Sequence, residues 1–159
     1  MTRARFLAAA LLCVACATPD AIRRSAEADF AISLSRDVSE NRPVLVVTIT
    51  NRSQSQLCIQ KETLQNPRTH QMELHLYDAR GRAVRPSGGG GFLPPPLEGN
   101  VRLEPGEVAR AEYFLDRRFR LPGGGTPFPS GMRAHVSFPY GRDCSEVWAL
   151  RATSARQPI

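Results

Sequence analysis

From Phe30 to Ser35 apolar and small residues alternate, with Phe30, Ile32 and Leu34 set against Ala31, Ser33 and Ser35. A side-chain period of two belongs to a strand with one buried face, and it predicts a strand over 28–35. The next run, PVLVVTITN, puts Leu45, Val47 and Ile49 on one face and is β-branched nearly throughout. Branched side chains are stiff at χ1 and suit a pleated surface, so 43–51 is the strongest predicted strand. LCIQ predicts a strand over 57–60, and MELHLYD predicts one over 72–78, with Met72, Leu74 and Leu76 opposed to Glu73, His75 and Tyr77. The pattern resumes over 107–115, over 132–138 (Met132, Ala134, Val136 and Phe138 on one face) and over 146–152. Residues 61–71 are irregular, with room for a short helical turn, and no segment sustains a helical period.

Between these runs lie turn signals. NRSQSQ follows the second strand, Asp78 and Gly81 frame a tight turn, and Pro105-Gly106 makes another. Two longer stretches, 86–100 and 122–131, are too rich in Gly and Pro for any regular element. Short strands punctuated in this way predict an all-β domain over 28–153. Its expected architecture is an immunoglobulin-like antiparallel β-sandwich of about seven to eight strands, with 154–159 left as a C-terminal tail.

The first residues have a different character. Arg3 and Arg5 precede the uncharged run Phe6 to Val14, which is shorter than the roughly 20 residues a spanning helix needs. A basic start, a short apolar stretch and small residues make 1–15 an expected export signal, followed by a polar tether over 16–27. Two processing routes fit. Val14-Ala15-Cys16 matches the end of a lipoprotein signal with Cys16 as the lipidated residue, although Cys13 stands where leucine is usual. Ala15-Cys16-Ala17 equally makes an A-x-A site whose cleavage leaves Thr18 at the amino terminus. A Cys13–Cys16 redox or metal pair is the poorer fit, because the pair lies inside the signal itself.

Either route leaves Cys58 and Cys144, and two cysteines in an oxidising compartment are most simply one disulfide. In an immunoglobulin-like sandwich the third strand and the turn between the last two strands lie at one end. Cys58 and Cys144 are therefore expected to meet there despite their sequence separation. The expected location is the periplasmic side of a bacterial envelope, as an outer-membrane lipoprotein or else as a soluble periplasmic or secreted form.

Charge alters this picture little. The formal charge is +6, and setting Arg3 and Arg5 aside leaves 19 basic against 15 acidic residues. The arginines are interleaved with acids along the chain and Lys61 is the only lysine, which reads as a solvated surface rather than a nucleic-acid patch. The densest groups are Arg80, Arg82 and Arg85, and Arg117, Arg118 and Arg120.

Catalytic signatures are missing. The histidines are His70, His75 and His135, without H-E-x-x-H spacing or an acidic Ca²⁺ loop, so no metal or other cofactor is expected. There is no G-x-S-x-G, and the four glycines at 88–91 are not followed by G-K-[ST]. The histidines at 75 and 135 are expected on a solvent face, and Trp148 in the core or on a sheet face. Phe92, Leu93 and Leu97 flank Pro94-Pro95-Pro96, and Phe128 lies between Pro127 and Pro129. These apolar loop residues either pin the loops to the domain or form a patch for a partner.

VVTITNRS, MELHLYDARGRAV and VRLEPGEVARAEYFL occur in this order, ahead of the last two strands. The order resembles that of small bacterial immunoglobulin-like domains, namely the intracellular subtilisin-inhibitor family and the amino-terminal domains of some secreted metallopeptidases. An Asn-ending strand, a D-x-x-G hairpin and an L-x-P-G-E segment carry the resemblance over about 110 residues, and what it implies is a fold. The chain departs from the inhibitors in its export signal, its two cysteines and its long loops, so no inhibitory residues carry over. The function expected is a non-enzymatic, exported and lipid-anchored binding or accessory domain, whose partner is an unidentified envelope protein or peptidase. The alternative is a secreted protease inhibitor presenting a Gly/Pro loop, which a broad peptidase panel would reveal by inhibition.

Overall fold

The structure is a computed structural model, and it describes residues 29–65, 72–87, 98–121 and 128–159. In chain order the strands are β1 (Phe30–Ser39), β2 (Arg42–Asn51), β3 (Leu57–Gln60), β4 (Glu73–Tyr77) and β5 (Asn100–Leu103). They continue with β6 (Val108–Phe114), β7 (Arg133–Tyr140), β8 (Leu150–Thr153) and β9 (Gln157–Pro158). Two short helices, α1 (Lys61–Gln65) and α2 (Leu115–Arg118), follow β3 and β6. The chain is thus mostly β, with every strand pair antiparallel.

One sheet has the order β1-β2-β6. A second has the order β4-β7-β8, with β9 also paired to β7. Strands β3 and β5 form a two-stranded ribbon, which a Cys58–Gly141 bridge ties to the end of β7. One hydrophobic cluster draws on all three sheets, with Leu45, Val47, Ile49, Leu57, Ile59, Val136 and Phe138 among its most buried members. Phe30 of β1 sets its ring 5.7 Å from Phe138 and 4.9 Å from Tyr140, so β1 and β7 meet through aromatic contacts. Each large apolar side chain taken from water in this way stabilises by about 1.5–3 kcal/mol.

Several boundaries depart from the periodicity. Strand β1 runs to Ser39 rather than 35, because Glu40 and Asn41 form a two-residue hairpin turn with φ of 52° and 59°. Positive φ at both central positions is the primed-turn geometry that matches strand twist. The last predicted strand, 146–152, begins only at Leu150. Before it, Glu146 N–H donates to Asp143 O and Ala149 N–H to Glu146 O, which makes 143–149 a chain of turns. The tail is also more than a tail. Gln157 pairs with Ala134, and its side-chain amide closes the edge of β1, donating to Ile32 O (2.7 Å) and accepting from Leu34 N–H (3.0 Å). A side-chain amide here stands in for the peptide group of a neighbouring strand, protecting an otherwise open edge.

Candidate functional site

Of the residues singled out in the sequence, Cys16, His70, Phe92, Leu93 and Leu97 lie outside the described residues. Phe128 is described. It is half-buried, packs against the core and carries the Arg36 guanidinium 5.1 Å above its ring. Cys58 and Cys144 form a disulfide, with Cα atoms 5.1 Å apart across a sequence separation of 86.

That disulfide braces the β7–β8 loop from Gly141 to Ala149. Cys58 and Gly141 exchange two backbone hydrogen bonds, of 2.8 and 2.9 Å. The Asn100 side chain donates to Cys144 O at 2.6 Å, and Asp143 accepts from Ser145 N–H at 2.9 Å. The two hydrogen bonds in which Asp143 accepts from Ser145 hold its carboxyl below the usual range. Glycine is required at 141, since a Cβ there would stand 2.5 Å from Glu146 O and 2.6 Å from Asp143 O. Within this loop Val147 is buried while Trp148 is exposed. The expectation of a core or sheet-face tryptophan is therefore corrected. The chain turns at 147–149, and anchoring Val147 inward sends its neighbour out.

Two further turns are built by single side chains. Buried Asn51 uses all its hydrogen-bonding capacity. Its amide donates to Ser55 O and Leu103 O, both at 2.8 Å, and its oxygen accepts from Ser53 N–H (2.9 Å) and Ser53 Oγ (2.8 Å). Its backbone also bonds Gly106 and Glu107, which ties the end of β2 to the L-x-P-G-E turn. Asp78 accepts from Arg80 N–H, Arg82 N–H and Arg82 Nε, and its carboxyl is pulled below the usual range, chiefly by the Arg82 backbone N–H. Gly81, at φ 77°, completes that hairpin.

The outward face of β4-β7-β8 gathers the chemistry. The register sets His75 directly opposite His135, and their rings stack at 4.5 Å with planes 19° apart. Tyr77 stacks on His135 at 5.8 Å, and the Arg156 guanidinium lies 3.6 Å from the Tyr77 ring centroid. Glu73 places one carboxylate oxygen 3.9 Å from His75 Nε2 and the other 2.7 Å from Arg151 Nη2. Arg151 Nε donates to Ser137 Oγ at 2.6 Å, and Thr153 Oγ1 is 3.2 Å from that same hydroxyl. Partial burial pushes the His135 imidazole below its ordinary value, helped by the nearby His75 and Arg156 charges and opposed by Glu73. Among the described residues no group of three or more His, Cys, Asp or Glu gathers as a metal site. What this face offers is a half-exposed platform of stacked rings, two guanidiniums and one carboxylate.

At the base of the domain, buried Asp29 accepts from Tyr140 Oη at 2.8 Å and pairs with Arg142 at 3.2 Å. Its carbonyl also accepts from Arg52 N–H at 2.8 Å. This contact is structural, since it clamps the entry of the chain onto the ends of β7 and β2. Burial pushes the Tyr140 phenol far above its ordinary value, and its bond to Asp29 adds to the rise. No protein-family model matches the chain, and comparison with curated proteins finds no match.

Proposed function

We propose that this chain is an exported, lipid-anchored domain that serves the bacterial cell envelope as a non-enzymatic binding or accessory module. The observation that carries the proposal is the Cys58–Cys144 disulfide, which suits an oxidising compartment outside the cytoplasm. The anchor is Cys16, at the end of the apolar run Phe6 to Val14. The fold is an immunoglobulin-like β-sandwich. In support, β1-β2-β6 has the strand order of the A-B-E part of such a domain, and β4-β7-β8 forms a second antiparallel sheet with β3 bridged to the end of β7.

Binding is favoured over catalysis because the polar groups of the outward face satisfy one another on an open sheet. The exposed recognition element is instead Trp148, on a braced loop. An aromatic side chain on a rigid support loses little entropy on binding and is a common energetic centre of interfaces. Mass spectrometry of the membrane fraction tests the anchor: a diacylglycerol thioether on Cys16 is expected, and a free amino terminus at Thr18 would replace it with a soluble form. Cross-linking in intact envelopes tests the module. A specific adduct that is lost on Trp148→Ala supports binding through the braced loop, and an unchanged adduct pattern excludes that loop.

A further inference from the structure

We propose that Arg85 and Arg120 form a docking surface for the phosphate headgroups of an anionic lipid membrane. Only an exported chain lies beside such a surface, so the proposal rests on the envelope reading. The two densest arginine groups of the sequence, at 80–85 and 117–120, are brought together by the fold. Pro86 bridges Phe119 in antiparallel fashion, with Arg120 N–H donating to Arg85 O at 3.1 Å and Ser87 N–H to Arg118 O at 2.7 Å. Phe119 and Leu121 are buried, so Arg120 between them turns outward. On the facing segment Val84 packs against the core and Arg85 is exposed. Two like charges thus stand opposite each other across a strand pair, which is unfavourable until an anion screens them.

Neighbouring arginines are already engaged. Arg82 pairs with Asp78, Arg42 with Asp116, and Arg118 lies 5.7 Å above the Tyr113 ring. Arg85 and Arg120, by contrast, have no carboxylate partner among the described residues. The sequence supplies the reason, since neither 79–97 nor 117–142 contains an Asp or Glu. Each guanidinium presents a planar fork of donors that matches two phosphate oxygens. Both side chains stand exposed on a strand pair, which suits the many phosphates of a membrane surface. The stretch from Cys16 to Asp29 reaches up to about 45 Å when extended. An anchor on Cys16 therefore leaves this face able to lie on the bilayer.

Cosedimentation with phosphatidylcholine vesicles that contain phosphatidylglycerol tests this. The form beginning at Thr18 is used, because it carries no acyl chain and keeps every described residue. Salt-sensitive binding is expected, and none to phosphatidylcholine alone. Arg85→Gln and Arg120→Gln should each weaken binding about fivefold, and the double substitution by about the product of the two. Arg110→Gln, which removes an exposed arginine already paired with Glu112, should change it less than about twofold. An equal loss for Arg110→Gln would mean that net charge alone attracts the chain, and would overturn the proposal. Absence of binding to the anionic vesicles overturns it too. So does calorimetric binding of inorganic phosphate through the same two arginines without any gain on anionic vesicles, because the ligand is then a free anion. Unchanged urea midpoints check that the variants fold. Mass spectrometry of Cys16 tests the envelope reading separately, so either can fail without the other.

Discussion

On its inward face β7 buries Ala134, Val136, Phe138 and Tyr140 completely, while its outward face carries Arg133, His135 and Ser137. The inward side chains are held by the removal of apolar area from water, which depends on how much is buried and little on which neighbour covers it. The outward ones are held by specific partners: His135 by His75 and Tyr77, and Ser137 by Arg151 and Thr153. Stability therefore resides on one face of the strand and chemistry on the other.

Emptying the inward face should give the largest effect. Phe138→Ala is expected to destabilise by about 3–5 kcal/mol, read from urea unfolding of the oxidised protein, since the cavity opens beside Phe30. Removing the disulfide with Cys58→Ala and Cys144→Ala should cost about 2–5 kcal/mol and loosen the β7–β8 loop first, visible as faster amide exchange over 141–149. Asn51→Ala should cost about 1–3 kcal/mol, because Ser55 O and buried Leu103 O lose their donor.

The two faces also set opposite pH limits. His135 titrates below its ordinary value when folded, so the folded state binds fewer protons than the unfolded chain. Its contribution is present above about pH 6.5 and is lost as the pH falls through the folded value. Tyr140 titrates above its ordinary value, so its contribution is complete below about pH 10 and is lost as the pH rises further. Unfolding midpoints across that range should fall at both ends, and His135→Ala should flatten the acid side alone. Smallest of all, His75→Ala at neutral pH should stay within about 0.5 kcal/mol of the parent. A larger loss would mean that the outward face is part of what holds the fold together.

Much of this was legible in the residues themselves. The alternation at 132–138 identified the inward row of β7, because a strand's two faces are a local consequence of backbone geometry, whereas in β2 Val44 and Val46 are buried along with Leu45, Val47 and Ile49. Asn51, Asp78 and Gly81 announced turns, because their side-chain and φ requirements are satisfied within a few residues. The long β1 was hidden, since Arg36 and Asp37 carry no apolar signal and Glu40-Asn41 is not a common hairpin pair. The shift of the last strand to Leu150 and the exposure of Trp148 were hidden too. Both follow from the turns at 143–149, which the approach of Gly141 to Asp143 and Glu146 compels.

The histidine pair marks the boundary between the two kinds of information. His75 and His135 are 60 positions apart and share no motif spacing; only the β4–β7 register makes them neighbours. Gln157 reaches Ile32 and Leu34 in the same way, across a separation of more than 120 positions. By itself the sequence determined the strand character, much of the inward rows and the local turns, because each depends on short-range geometry. Tertiary structure alone decided which outward side chains meet. Register is set by the summed burial of whole strands, and the solvent-facing residues take whatever partners that sum assigns them.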